Sequence, residues 1–326
     1  MENKIVSTFM FSEPHEQDLL WLKFSIENEF VSEWIITESC YTFQGKKKEL
    51  HLQEILEQER FKPFVHKIHY ISLDKNFHFE YEPPFKEVLK RRVKRLLNKY
   101  LNRNYEFVTY SELASFYAEI NQRQACVPYI LQKYDKDDIV LLCDTDEIFD
   151  FNEGKIEIFR DTLRHNPLPF YIHRQIFCYD FDNYTYRRRF IPIVNVKYLD
   201  DEKVQVIKHP RKDKRNIVEL DYSLVFEYTF CFSKEAIMRK LGTFAHVTEL
   251  NEKDLDFAFE NNISMISKNK IDHAYRQNKE HFYTKLKLDA SNSPKFVRDN
   301  FDQICTNVVD KNYLENRKKN HIFLEL

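Results

Sequence analysis

Glycine is nearly missing from this sequence: three residues in 326. A loop that cradles phosphate with backbone N–H groups needs several glycines close together, so neither a GxGxxG turn nor a P-loop can be built here. Cysteine is sparse as well. None of Cys40, Cys126, Cys143, Cys178, Cys231 and Cys305 stands at CxxC spacing, which argues against a zinc site. Most of them lie in apolar runs such as Leu141-Leu142-Cys143 and Phe230-Cys231-Phe232, where a thiol behaves as a small hydrophobe. Reduced core cysteines and a cytoplasmic setting are therefore expected. No apolar stretch approaches the roughly 20 residues a membrane helix requires, and the opening Met1-Glu2-Asn3-Lys4 leads into no secretory apolar region. A dominant charge is absent too, with 50 Lys+Arg against 52 Asp+Glu and a net charge of −2. That balance excludes a protein that coats nucleic acid by bulk electrostatics.

What the chain has in quantity is aromatic residues, 15% of the total, chiefly 29 Phe and 19 Tyr. A Phe-rich core is the first reading of that number; stacking platforms for sugar rings are the second. The length suits two domains or one large α/β unit with an extension. Ile5 to Phe11 is a β-rich run, Glu16 to Phe30 has apolar residues at helical spacing, and Glu33 to Glu38 is a second short strand, together long enough for a parallel crossover unit. A helix over Glu49–Arg60 and a third strand over Val65–Leu73 are predicted next. Residues 85–101 form a basic amphipathic pattern, read first as a helix docked on the core and second as a face for peripheral contact with an anionic membrane. A helix from about Ser111 to Tyr134 precedes Ile139-Val140-Leu141-Leu142-Cys143, a wholly apolar strand of the kind buried on both faces of a parallel sheet. Several strands, some antiparallel, are predicted between Pro169 and Phe232, and helices from Ser233 to the end.

The chemistry is concentrated after the apolar strand. Asp144-Thr145-Asp146-Glu147 puts two carboxylates, one residue apart, at the carboxyl end of a buried strand. Open α/β sheets bind ligands at that end, and residues i and i+2 share a direction on an extended segment. Two hard oxygen donors suit Mg²⁺ or Mn²⁺, which can neutralise a diphosphate. Acidic pairs also occur after strands as caps and turns, so the spacing by itself leaves both roles open. Two chemistries use such a pair: a nucleotide-sugar glycosyltransferase, and a phosphohydrolase of the haloacid dehalogenase type whose first Asp is the nucleophile. The phosphohydrolase motif usually lies near the amino terminus, so its position at 144 favours the transferase.

Three blocks carry a resemblance. They are Glu16-Gln17-Asp18-Leu19-Leu20 through Trp34-Ile35-Ile36-Thr37-Glu38-Ser39 to Gly45; Asn121-Gln122-Arg123-Gln124 followed by Asp137-Asp138-Ile139 to Ile148; and Phe230-Cys231-Phe232-Ser233-Lys234 to Ile237 with Lys240-Leu241 and Phe244-Ala245-His246. In this order the chain resembles glycosyltransferase family seventeen, whose best-known member adds the bisecting β-1,4-linked N-acetylglucosamine to N-glycans. It departs from that family at Val225-Phe226-Glu227, where members often carry Gly-Trp-His.

The resemblance implies an α/β fold of GT-A type, a Rossmann-like mixed sheet flanked by helices. Residues 1–150 would be the donor half, 151–268 the acceptor half and 269–326 a helical extension. It implies a metal-dependent inverting transferase that moves a sugar, N-acetylglucosamine first, from a UDP-sugar to a hydroxyl of a polysaccharide, lipid-linked or protein-linked glycan. A non-catalytic sugar-binding module is the alternative of another class. Asp144 and Asp146 would hold Mn²⁺ or Mg²⁺, Asp146 the more directly, with His246 completing the shell. Glu38, Lys48, Arg123 and Glu147 would meet the nucleotide or its diphosphate. Glu249 is the first choice of general base, ahead of Asp254 and Glu227.

Overall fold

The computed structural model describes residues 3–83, 110–201, 216–220, 223–243, 252–261 and 283–310, together with positions 85, 88, 89, 93, 204, 207, 313 and 314. The first half runs β1 (Ile5–Met10), α1 (Gln17–Glu27), β2 (Glu33–Ser39), α2 (Leu52–Leu56), β3 (Ile68–Leu73), α3 (Tyr110–Gln124), α4 (Val127–Lys133), β4 (Ile139–Leu142) and β5 (Glu147–Phe149). The second runs α5 (Lys155–His165), β6 (Phe170–Cys178), β7 (Asn183–Asn195), α6 (Val196–Asp201), β8 (Ile217–Val218), β9 (Val225–Thr229), α7 (Lys234–Thr243), α8 (Glu252–Asn261), β10 (Tyr283–Lys285), α9 (Lys295–Asp299) and α10 (Phe301–Val308).

Alternation along the strands builds two cores on one sheet, because successive side chains of a strand point to opposite faces. Val6, Ile35, Val140 and Val194 meet Val127 and Ile130 of α4 and Val196 and Leu199 of α6 on one side. Trp34, Ile36, Ile139, Leu141 and Ile193 meet Leu20 and Phe24 of α1, with Phe61 and Phe64, on the other. The strands follow the order β3-β2-β1-β4-β7-β6-β9-β5, with β10 on β7 and β8 on β6. Pairing is parallel from β3 through β4, turns antiparallel at β7 and stays mixed beyond it. The α/β class and the mixed, helix-flanked sheet are as the sequence indicates.

Several elements differ from the sequence reading, each for a local reason. The helix predicted over 111–134 is two helices. Pro128 stands in the first turn of α4, where its missing N–H is harmless; in a continuous helix it would remove the bond to the Gln124 carbonyl. The helix predicted over 49–60 shrinks to five residues, and Val65–Lys67 is a 3₁₀ turn rather than the start of a strand. Glu147-Ile148-Phe149 forms β5, paired with β9, and β10 lies within the tail that was predicted helical. That tail packs firmly: Val297, Ile304, Cys305, Val309 and Tyr313 share a buried cluster with Phe177, Tyr228 and Ile237, and with Leu19, Leu22 and Ile26 of α1. All six cysteines are free, five of them buried. Among the described residues no helix is long and apolar enough to cross a membrane. The basic stretch 85–101 lies almost entirely outside them.

One buried ion pair ties the helix layer to the sheet. Lys23 and Glu27, a turn apart on α1 and both fully buried, are 2.8 Å apart. The Lys23 ammonium also donates to the Glu147 carbonyl and lies 3.3 Å from Cys143 Sγ. Glu27 accepts from the Phe149 backbone at 3.0 Å and from Trp34 Nε1 at 2.9 Å. A buried charge deprived of its partner costs about 3–5 kcal/mol, whereas removing both together costs far less. We therefore expect Lys23→Met to destabilise the fold by about that amount, and Lys23→Met with Glu27→Gln to lose clearly less than the two single variants summed. Urea unfolding of the four proteins measures the coupling; additive losses would refute it.

Candidate active site

The loop that follows β4 opens on a cavity of about 420 Å³ lined by the carboxyl ends of β1, β2 and β4 and by α3, α7, β6, β7 and β9. A larger hollow of about 830 Å³ lies at the opposite, amino ends of β1 and β4, against α5. None of the candidate residues lines it, and open α/β sheets bind ligands at the carboxyl ends of their strands, so the smaller cavity is the candidate site. The loop is fixed from both sides. Thr145 Oγ1 donates to the Met10 carbonyl at 2.8 Å, and the Tyr228 N–H donates to the Asp146 carbonyl at 2.9 Å.

Each acidic side chain of the loop has its own cation, and each cation holds a second carboxylate. Arg123 of α3 bridges Asp144 and Glu119. Lys240 of α7 lies 3.1 Å from Asp146 and 3.6 Å from Glu16. Arg174 of β6 contacts Glu147 and lies 2.9 Å from Glu227. Burial works against the charge of Arg123 and of Lys240, but the paired carboxylates outweigh it and raise both pKa values, so both stay protonated. Side-chain exposure falls along the loop, from 34% at Asp144 through 14% at Asp146 to 2% at Glu147. Asp144 and Asp146 line the cavity. Glu147 is a strut: its carboxylate accepts the Asp144 N–H at 2.8 Å and anchors Arg174.

The structure brings Lys48, Arg123, Asp144, Asp146, Glu147 and Glu227 to this cavity. Of the three lysines after Gly45, only Lys48 lines it; Lys46 and Lys47 are exposed. The turn that presents Lys48 needs its glycine, since Gly45 has a φ of +80° and a Cβ there would meet the His78 ring at 3.0 Å. Glu38 is buried behind the wall instead. Its carboxylate accepts the N–H groups of His51 and Leu52 at 2.8 and 3.1 Å and the Tyr70 hydroxyl at 2.9 Å, so it caps α2 and holds β3. Glu227 accepts from Thr229 Oγ1 at 2.6 Å in addition to its contact with Arg174, which commits it as a counter-ion. Asp254, in the first turn of α8, is half-buried and does not line the cavity. Glu249 and His246 lie outside the described residues.

Sequence reasoning gave no role to His15, Glu16, Arg174 or Lys240. The detectable signal was Arg174, a charge inside the apolar strand Phe170–Cys178 that demands a buried partner. His15 sits edge-on to Phe232 at 5.1 Å, and both of its ring nitrogens are buried without a hydrogen-bond partner. Burial first, then the charges of Lys240 and Arg239, push its pKa down to about 3, so the ring is neutral.

The residues fit a divalent cation. Mg²⁺ and Mn²⁺ are commonly held by one or two carboxylates completed by substrate phosphates, and Asp144 and Asp146 supply two. Five cationic side chains against seven carboxylates line the cavity, an excess of negative charge that a dication would balance. Among the described residues no three His, Cys, Asp or Glu side chains close around a single point.

Comparison with known proteins bears on what a cleft lined by paired charges does here. Residues 1–113 match the family model of Glycosyltransferase family 17, which supports a glycosyltransferase enzyme. The matched stretch includes Glu16, Glu38 and Lys48, while the Asp144–Glu147 loop lies beyond it. No curated protein matches the chain.

A pH effect follows from His15. Between its folded pKa of about 3 and its ordinary value of 6.5, the unfolded chain takes up a proton that the folded chain refuses. Its contribution is therefore complete above pH 6.5 and is lost as pH falls, at up to about 1.4 kcal/mol per pH unit. His15→Asn should show a smaller fall in Tm than the parent between pH 7 and pH 5. Parallel Tm curves from calorimetry would refute this.

Proposed function

We propose that the protein transfers a sugar from a UDP-sugar, N-acetylglucosamine first, to a hydroxyl of a glycan acceptor, with inversion and with help from Mn²⁺ or Mg²⁺. The observation that carries the reading is the Asp144-Thr145-Asp146 loop at the carboxyl end of β4, facing a cavity that Lys48 also lines. The parallel order β3-β2-β1-β4 followed by antiparallel β7 supports a GT-A type arrangement, with the nucleotide over the parallel half.

In this reading Asp144 and Asp146 hold the cation, Arg123 fixes the orientation of Asp144, and Lys48 meets the diphosphate as a point charge. A bound cation supplies neutralisation of the diphosphate and so improves it as a leaving group. The buried struts Glu147, Arg174 and Glu227 keep the loop in place while ligands come and go. The acceptor hydroxyl must lose a proton as the new bond forms, and a carboxylate is the base of choice. Glu227 is committed to Arg174. We assign the base to Glu249, which precedes α8.

Thermal-shift and calorimetric measurements with UDP and UDP-sugars test the donor. Binding is expected to be at least about tenfold tighter with Mn²⁺ or Mg²⁺, and Asp146→Asn to erase that gain. Equal affinity in EDTA would refute the metal, and stabilisation by inorganic phosphate without nucleotide preference would favour a phosphohydrolase. Glu249→Gln tests the base. The amide keeps shape and hydrogen bonding but accepts no proton, so transfer should fall by at least about a hundredfold with UDP affinity unchanged. Turnover within a few-fold of the parent would move the assignment to Asp254.

A further inference from the structure

Lys240 is the cation of the cleft that holds Asp146. Its ammonium lies 3.1 Å from Asp146 and 3.6 Å from Glu16, and the charge of Asp144 also acts on it. Glu16 is itself held in position by the Ser12 N–H at 3.0 Å. The ammonium also lies over the Phe232 ring, 5.1 Å from its centroid. A single positive charge is thus enclosed by the same carboxylates that would face a dication. An ammonium and a divalent cation cannot share Asp146 without strong repulsion, since two like charges about 4 Å apart cost several kcal/mol at an effective dielectric near 20.

We propose that Lys240 is a built-in counter-ion of the empty donor site, which the divalent cation displaces from Asp146 and which then turns to the donor diphosphate. The inference rests on the proposed metal-assisted reading and deepens it. Without ligand, the pair keeps Asp144 and Asp146 from repelling one another and holds α7 against the turn that carries His15 and Glu16. When cation and diphosphate arrive together, the lysine exchanges one anion for another and its charge is never left unpaired. Cation alone must dislodge the lysine with no phosphate to receive it, so metal binding and donor binding become mutually dependent. This coupling is reciprocal by linkage.

The test compares the parent with Lys240→Met, which keeps an apolar stem and removes the charge, and with Lys240→Gln as a second variant. Free Mn²⁺ is counted by electron paramagnetic resonance in the absence of nucleotide. Both variants are expected to bind Mn²⁺ about tenfold tighter than the parent or better. The gain in Mn²⁺ affinity on adding UDP, large in the parent, should shrink in both. Unchanged or weaker Mn²⁺ binding in the variants, with Asp146→Asn abolishing it in the parent, overturns the counter-ion alone. No Mn²⁺ binding by the parent or either variant overturns the metal reading and the counter-ion with it.

Discussion

The site depends on a buried ion pair that never reaches it. Lys23 and Glu27 lie beneath the loop that carries Asp144 and Asp146, and between them they grip four elements. The ammonium holds the Glu147 carbonyl and approaches Cys143, the residues either side of the acidic pair. The carboxylate holds the end of β5, through the Phe149 N–H, and the indole of Trp34 on β2. A hydrophobic pair of the same volume would serve stability as well. It would not fix the direction of a carbonyl, an amide and an indole at once. What the charge supplies is position, and the loop above inherits it.

Above that anchor the cleft is organised as three bridges, Glu119–Arg123–Asp144, Glu16–Lys240–Asp146 and Glu147–Arg174–Glu227. Each joins side chains of separate elements, although Glu119 and Arg123 are a turn apart on α3, and each leaves one negative charge in excess. Their exposure differs, and the difference divides their labour. The innermost bridge also lines the cavity but is the most buried of the three, and it acts as scaffold. The outer two border the cavity, where an incoming cation or phosphate can exchange with a partner already present. Such a site is ordered before ligand arrives, which spares a ligand the entropy of assembling it.

Much of this was legible in the sequence, and the failures have physical causes. The parallel strands announced themselves by unbroken apolar runs, and the acidic loop by its place after Ile139–Leu142. Lys48 and Arg123 were implied by the family resemblance, and both line the cleft. Glu38 was also chosen, as a carboxylate at a strand end. Its actual work, accepting two N–H groups at the start of α2, depends on a contact across the turn at Gly45 that no local pattern reveals. β5 and β10 were missed because three-residue strands carry too little alternation to register. Lys240 and Glu16 lie far apart in sequence, and only the packing of α7 against the β1–α1 turn makes them one feature.

The scarcity of glycine gives these charges a common cause. Phosphate-binding folds that cradle the ligand with backbone N–H groups need glycine for close approach and for positive φ. Here positive-φ glycine is confined, among the described residues, to Gly45 in a turn and Gly154 at the cap of α5, and neither lies in the acidic loop. Two N–H groups of that loop are used in internal bonds, the Asp144 N–H on the Glu147 carboxylate and the Glu147 N–H on the Asp144 carbonyl. The cationic side chains that line the cleft, Lys48, Arg123, Arg174, Arg189 and Lys240, are where an anion would be met. Arginine and lysine at full charge would collapse onto the acidic loop if left unpaired, and the carboxylates would repel one another without them. Bridging Arg123, Lys240 and Arg174 each between two acids satisfies both demands. The lining as a whole, five cations against seven carboxylates, is short of positive charge by an amount a dication would supply.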